Sequence, residues 1–303
     1  MDNTLLIAQG ILDLSFLKKQ EQLRLLSQIS SIEEFCSLSI GELEQRFGRP
    51  LQIRDQIKDW KAEQVLEQAY NQLERAAKRS ILAVSFGSDS YPPLLRELVD
   101  PPLLIYYRGL LPDPEKPLVA VVGTRNPSSG GRGLAYKLGY DLGIAGLAVV
   151  SGLARGIDSM AHRGNLEGQG RTVAVLGNGL DSVYPVSNKM LAARILENGG
   201  CLISEYAPGV PPYKWHFPAR NRIIAALGRS TIVVEAPEHS GSLITAQFAL
   251  DQGRDVWVGS ICKTSPNGKG GRNLTEQGAA YIDSVETLFS EWSQFVDGSA
   301  HEE

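Results

Sequence analysis

The chain is poor in the features that would assign it at a glance. Its 303 residues hold only three cysteines, Cys36, Cys201 and Cys262, far apart and never as C-x-x-C. Neither a disulfide framework nor a zinc site is indicated, and the three read as core thiols. No apolar stretch approaches the length that crosses a bilayer, and the Met-Asp-Asn start lacks the basic-then-apolar layout of a secretory leader, so a cytoplasmic chain without a membrane partner is expected. Metal-ligand clusters, a G-x-S-x-G elbow and a nucleophile beside its base are all missing. The expectation is therefore no catalytic residue, no metal and no cofactor. A formal net charge of −4 excludes a surface that binds polyanions indiscriminately.

What is present is a core-forming composition, 43% hydrophobic, organised around Leu118-Val-Ala-Val-Val-Gly-Thr-Arg-Asn-Pro-Ser-Ser-Gly-Gly131. The run from Leu118 to Val122 has the continuous apolar character of a parallel strand covered on both faces, and Gly123 permits a turn. Thr124 and Arg125 follow, and Ser128 or Ser129 can cap a helix whose first-turn N–H groups favour an anion. The stretch reads as a phosphate site or as a plain strand-to-helix turn with Arg125 in solvent. It is no dinucleotide fingerprint, since Arg125 and Ser128 stand where glycines would be needed, and no G-K-[ST] follows as in a P-loop.

Residues 1–79 read as a small all-helical domain. S-x-x-E capping boxes at Ser31 to Glu34 and Ser39 to Glu42 mark helix starts, Arg49-Pro50 breaks the pattern, and a longer helix is expected from about Asp55 to Arg79. Its apolar face would carry Ile57, Trp60, Leu66, Tyr70, Leu73 and Ala77. With 11 basic and 12 acidic residues this domain favours no class of partner. Residues 80–296 are expected to form an α/β domain. Strands at Ile81–Phe86 and Leu103–Tyr107 flank a proline-bounded short helix and are expected to extend a sheet. Further strands near 118–123, 147–151, 171–176, 201–205, 231–236 and 255–259 alternate with helices, the rhythm of a doubly wound, mostly parallel sheet. A last helix should run from Asp283 to about Phe295, ahead of a polar, mobile tail at 297–303.

Four more strand ends carry unusual loops. Ser151 to His162 combines Gly152, Leu153 and Arg155 with Asp158, read as the cap of the next helix, and His162 reads as a packed imidazole rather than a base. In the loop from Gly177 to Lys189, Tyr184-Pro185 interrupts before a helix that Ser187 is expected to cap. Lys189 lies in its first turn, against the helix dipole, which suits either an external anion or plain solvation. Arg220, Asn221 and Arg222 suit phosphate oxygens and base edges, although Glu205 could claim one arginine in an ion pair. Ser240, Gly241 and Ser242 open a helix with Thr245 one turn in, a second ready anion site. Residues 118–228 hold 11 basic and 6 acidic residues. Loops of this kind at one edge of a parallel sheet imply a groove for a ligand with several phosphates, either a nucleotide or a strand.

Val122-Gly-Thr-Arg125, Val150-Ser-Gly-Leu-Ala-Arg-Gly-Ile-Asp158 with Ala161-His162, Leu176-Gly-Asn-Gly-Leu-Asp181 with Tyr184-Pro185 and Asn188, Phe217-Pro-Ala-Arg-Asn-Arg-Ile-Ile-Ala225 and Ser240-Gly-Ser-Leu-Ile-Thr-Ala246 resemble the bacterial DNA-processing protein A (DprA/Smf) family. Tyr91-Pro and Asp100-Pro-Pro fit as well, so the resemblance covers about residues 85 to 282 in order. It implies an extended Rossmann-like domain, often preceded by a sterile-alpha-motif-like (SAM-like) or helix-hairpin-helix-like domain. It also implies binding of single-stranded DNA without catalysis, protection of incoming DNA in natural transformation, loading of the RecA recombinase, and a homodimer. By the family's motif, Arg125 and Lys189 are the principal backbone contacts, and Gly123, Gly152 and Gly241 let phosphates approach main-chain N–H groups. The expected strand-binding set joins these to Thr124, Ser128, Leu153, Arg220, Asn221, Arg222, Ser240, Ser242 and Thr245, with Tyr184 as a stacking surface.

The chain departs from the family in several places. No C-terminal winged helix is expected, and the N-terminal region lacks a Gly-Ile-Gly hairpin, so that domain is not expected to bind DNA alone. Val258-Gly259-Ser260 replaces a common Val-Pro-Gly, and Thr275 stands where an aliphatic residue is usual. The competing reading is a Rossmann-like nucleotide-processing enzyme of the phosphoribohydrolase kind with Glu205 or Glu235 as acid/base group; its P-G-G-x-G-T-x-x-E stretch is absent.

Overall fold

The structure, a computed structural model, describes residues 2–52 and 61–298. The chain divides into two compact units, Met1–Tyr107 and Arg108–Glu303.

The first unit holds α1 (Asn3–Asp13), α2 (Lys19–Gln28), α3 (Ile32–Cys36), α4 (Ile40–Phe47) and α5 (Ala62–Ala77), then β1 (Leu82–Ser85), α6 (Pro93–Arg96) and β2 (Leu104–Gly109), which pairs antiparallel with β1. The expected caps form: Ser31 Oγ accepts from Glu34 N–H at 3.1 Å, and Ser39 and Glu42 make a reciprocal box. The long helix differs from expectation. The part assigned to Asp55–Trp60 lies outside the described residues, and Tyr70 and Ala77 are exposed. Its buried face is instead Ala62, Leu66, Ala69, Leu73 and Ala76. Small alanines seven residues apart bring the backbone of α5 close to α1, a packing choice that a search for large apolar residues overlooks.

The second unit is a sheet of seven parallel strands in the order β6-β5-β4-β3-β7-β8-β9. In chain order its elements are β3 (Leu118–Val122), α7 (Ser129–Ile144), β4 (Ala148–Ser151), α8 (Ile157–Glu167), β5 (Val173–Val175), α9 (Lys189–Glu197) and β6 (Cys201–Ser204). The second half is α10 (His216–Leu227), β7 (Gly228–Val233), α11 (Gly241–Asp251), β8 (Asp255–Gly259), α12 (Lys269–Glu276), β9 (Ala280–Ile282) and α13 (Val285–Gly298). Residues 299–303 of the expected tail lie outside the described residues. The first half winds one way from β3 and the second half the other way from β7, so the order reverses between these two central strands.

β3 is buried along its whole length, and its side chains alternate between two layers. Val119 and Val121 join Leu138 and Leu142 of α7, Ile157 and Ala161 of α8 and Val285 and Leu288 of α13 in one apolar core. Ala120 and Val122 face the other layer, where α10 and α11 pack. α7 and α8 meet through glycine: a Cβ on Gly143 would stand 2.6 Å from Asn165 O, and one on Gly164 would overlap Tyr136 O. Bare Cα positions thus let the two helix backbones touch.

Candidate nucleic-acid interface

A cleft of about 580 Å³ opens at the carboxyl ends of the strands, where the order reverses between β3 and β7. Its walls are the turn after β3 (Gly123, Thr124, Arg125), Ala154 and Asp158 after β4, Tyr184, Lys214, and the first turns of α10 and α11.

The turn bearing Arg125 is clamped from two sides. Thr124 N–H donates to Glu235 O at 2.8 Å, and Ile157 N–H donates to Thr124 O at 3.2 Å. A Cβ on Gly123 would lie 2.6 Å from Ile157 Cγ1 and 2.8 Å from Glu235 O, so this glycine serves close packing. Gly156, at φ +81°, brings its loop against the same turn, and a Cβ there would stand 2.7 Å from the Arg125 carbonyl carbon. The backbone is fixed while the Arg125 side chain is exposed, with no hydrogen bond or ion pair to the described residues. Its guanidinium carbon sits 5.9 Å from the Phe217 ring centre, and Phe217 leans on Tyr184 at 5.3 Å. Tyr184 is 44% exposed and lines the cleft. A free cation beside a partly open aromatic pair can take a phosphate and a base together.

The helix start after Arg125 is engaged internally. Ser128 caps α7, accepting from Gly131 N–H at 3.0 Å, but its own N–H donates to Glu235 Oε2 at 2.8 Å. Glu235 is fully buried, and its other oxygen accepts from the Ser265 hydroxyl. The anion drawn to this helix N-terminus is the chain's own carboxylate, which corrects the sequence reading of the α7 start as open to a ligand phosphate. The start of α11 is different. Ser240 Oγ accepts from Ser242 N–H at 3.3 Å, Gly241 is exposed with open space around it, and Ser242 and Thr245 line the cleft. Ser242 N–H and Leu243 N–H both donate back to Ser240, which leaves exposed Gly241 as the part of this first turn open to the cleft side.

The three residues read together as Arg220-Asn221-Arg222 separate. Arg220 is 5% exposed, donates to Gly152 O at 3.0 Å and to Val175 O, and has its pKa pushed down to about 10, chiefly by burial. Beside it Asp158 accepts from Gly152 N–H at 3.1 Å and Ala154 N–H at 3.4 Å; burial raises its pKa, with Arg220 opposing. Asp158 therefore ties down the preceding loop and does not cap α8, whose N-cap is Gly156. Asn221 bridges the two helix starts, accepting from Arg220 Nε at 3.2 Å and donating to Gly241 O at 3.2 Å. Arg222 points away into a buried ion pair with Glu205, the alternative that the sequence left open.

Leu153 is buried at φ +55° and its carbonyl accepts from Asn188 Nδ2 at 2.9 Å. Ser187 does not cap α9; it lies in the 3₁₀ turn Val186–Asn188 ahead of it. Lys189, at the start of α9, is exposed and not among the residues lining the cleft. His162 is buried, with Nδ1 2.7 Å from the Thr172 hydroxyl and its pKa pushed down to about 3 by desolvation and then by Arg220. It is a neutral core imidazole. The sequence reading passed over Lys214, which lines the cleft, and left Arg155 out of the site, although it shares a side pocket with Arg125 and Tyr184. The signal for Lys214 was its place two residues before the α10 motif begins at His216-Phe217.

Among the described residues no group of three or more His, Cys, Asp or Glu side chains could hold a metal, and no helix is long and apolar enough to cross a membrane. The chain matches a known family over most of the second unit. The family model for DNA recombination-mediator protein A matches residues 83–293. The DNA processing protein DprA of Bacillus subtilis is 39% identical over 245 residues, covering 78% of this chain and 82% of that protein. The crystal structure of DNA processing protein A from Streptococcus pneumoniae superposes with a TM-score of 0.73 at 34% identity, covering 96% of this chain and 98% of that one. The corresponding protein of Helicobacter pylori, whose structure was described for its single-stranded DNA binding mode, gives a TM-score of 0.61 at 28% identity, covering 71% and 96%. The chain belongs to the DNA processing protein A (DprA/Smf) family, the DNA recombination-mediator proteins.

Proposed function

We propose that the cleft between the ends of β3 and β7 binds single-stranded DNA without catalysing a reaction on it. The observation that carries this reading is Arg125: the turn that bears it is held through Thr124 by Glu235 and Ile157, while its guanidinium is left free beside Phe217 and Tyr184. Arg125 and Lys214 would neutralise successive phosphates, the α11 start at Ser240, Gly241 and Ser242 would receive a phosphate oxygen, and Tyr184 would stack on a base. Arg220, Asn221, Gly152 and Leu153 would hold these groups in place. Lys189 would take the strand as it leaves the cleft.

The competing enzymatic reading loses its two acid/base candidates to internal bonds. Glu205 is paired with Arg222, and Glu235 accepts from Ser128 N–H and the Ser265 hydroxyl. In the larger reading, the protein is cytoplasmic, covers incoming strands during natural transformation, passes them to the RecA recombinase, and works as a homodimer that presents two clefts. Titration of single- and double-stranded oligonucleotides across salt concentrations tests the first step. Preference for single strands with a marked salt slope is expected; absence of binding at low salt would remove the reading. Mass measured by light scattering tests the dimer, and the onset of recombinase assembly on coated strands tests the hand-over.

A further inference from the structure

Just outside the cleft the segment Pro211-Pro-Tyr-Lys-Trp-His216 presents two rings that no internal role explains. Tyr213 and Trp215 stack on each other with centres 4.7 Å apart and planes 6° from parallel, yet they are 45% and 66% exposed. Stacking that leaves two thirds of an indole in water contributes little to a core. The pair is nonetheless held firmly. Both rings meet His216 edge-on, at 5.2 Å and 5.9 Å. His216 is itself buried, stacked 3.8 Å from Tyr206, with Nδ1 3.0 Å from Gly177 O. The backbone turns tightly here, Tyr213 N–H donating to Pro211 O at 2.9 Å and His216 N–H to Tyr213 O at 3.0 Å. Between the two rings in sequence stands Lys214, exposed, without an ion pair to the described residues, and lining the cleft.

We infer that Tyr213 and Trp215 form a second base-stacking platform, beyond Tyr184, on which a nucleobase of the bound strand rests while Lys214 holds the adjoining phosphate. The inference rests on the single-strand reading and extends it along the strand. Charge and shape favour a nucleic acid: a flat, pre-ordered aromatic face flanking the free ammonium of Lys214, next to a cleft that also holds the free Arg125 guanidinium, suits alternating bases and phosphates. Because stacking is indifferent to base identity, the platform adds affinity without sequence preference.

Anisotropy titrations of labelled oligo-dT at several salt concentrations, with the intact chain and its Trp215→Ala and Trp215→Phe variants, test this. Trp215→Ala should bind about tenfold more weakly at every salt concentration, because a stacking contact is lost and no phosphate contact with it. Trp215→Phe should recover most of the affinity. An oligonucleotide of abasic residues with the same number of phosphates should no longer distinguish Trp215→Ala from the unaltered chain. Tryptophan emission of the unaltered chain should fall on binding oligo-dT, and that change should shrink in Trp215→Ala. If the unaltered chain binds oligo-dT and Trp215→Ala binds it equally well, the platform is refuted and the cleft reading stands. If the unaltered chain fails to bind at low salt, both are refuted.

Discussion

Arg125→Ala separates binding from stability, because the side chain is free while its backbone is not. Arg125 has no hydrogen bond or ion pair to the described residues, so truncation strands no buried partner. Stability should stay within about 0.5 kcal/mol. What is lost is one charge-assisted phosphate contact of about 1.5–3 kcal/mol, a weakening of roughly ten- to a hundredfold at low salt. On a single strand each neutralised phosphate contributes about 0.7 to the slope of log K on log salt, so the slope should fall by about that amount. Between 50 and 200 mM salt the gap between variant and unaltered chain should therefore narrow by about 2.5-fold. Arg220→Ala should behave in the opposite way. It removes the donor to Gly152 O and Val175 O and leaves Asp158 buried beside no cation, a cost of about 3–5 kcal/mol, so thermal stability falls before binding can be assigned. Oligo-dT anisotropy in a salt series, with a thermal melt of each variant, reads both quantities. A folded Arg125→Ala variant with the unaltered salt slope, or one that melts several degrees early, would refute the reasoning.

Three further outcomes follow from the packing. Glu235→Ala should lower stability by about 1–3 kcal/mol, read as a denaturation midpoint, since Ser128 N–H and the Ser265 hydroxyl lose their acceptor. Gly164→Ala should destabilise by about 1–3 kcal/mol because its Cβ would overlap Tyr136 O across the α7–α8 contact. Gly133→Ala, in α7 with open space around it, should instead stabilise by about 0.5–1 kcal/mol; equal effects at the two glycines would contradict the close helix contact. His162 titrates near 3 when folded against an ordinary 6.5, so the unfolded chain takes up its proton first. This contribution is complete above about pH 6.5 and drains away as pH falls toward 3, at about 1.4 kcal/mol per pH unit. Asp13, raised by burial to about 6, contributes in the opposite sense, its part lost as pH rises through 6. The informative measurement is thus melting temperature against pH for His162→Gln relative to the unaltered chain. Unchanged acid sensitivity in the variant would count against the neutral buried ring.

The strands of the second unit were legible because a fully covered parallel strand is a continuous apolar run bounded by glycines, as at Leu118–Val122 and Cys201–Ser204. β9 was missed because Ala280-Tyr-Ile282 is a part-exposed edge strand without a continuous apolar run, whereas the equally short Val173–Val175 is fully buried and lies within one. The loops were legible as a set, but the partners of individual residues were not. Ser128 meets Glu235, 107 residues along the chain, and Asn188 meets Leu153, 35 residues back. No local motif reports such a pairing. Tyr70 failed for a different reason: periodicity places it near the apolar face of α5, and only the tertiary contact with α1 decides that the small alanines lie at its centre.

The same distinction governs the electrostatics of the cleft. Sequence alone admits Arg220 and Arg222 beside Arg125 as partners for phosphate oxygens, while leaving one of them open to an ion pair with Glu205. The structure divides them by what each already faces: Arg222 has Glu205, and Arg220 has Asp158 with two backbone carbonyls. A buried cation that neutralises an internal carboxylate adds little field to the space outside it. On the single-strand reading, the attraction for a polyanion then falls to exposed cations with no carboxylate partner among the described residues, among them Arg125 and Lys214 in the cleft, Arg155 in the side pocket and Lys189 at the start of α9. Lys214, absent from the sequence-based set, should accordingly matter to binding about as much as Arg125. Arg222, present in that set, should matter only through the fold.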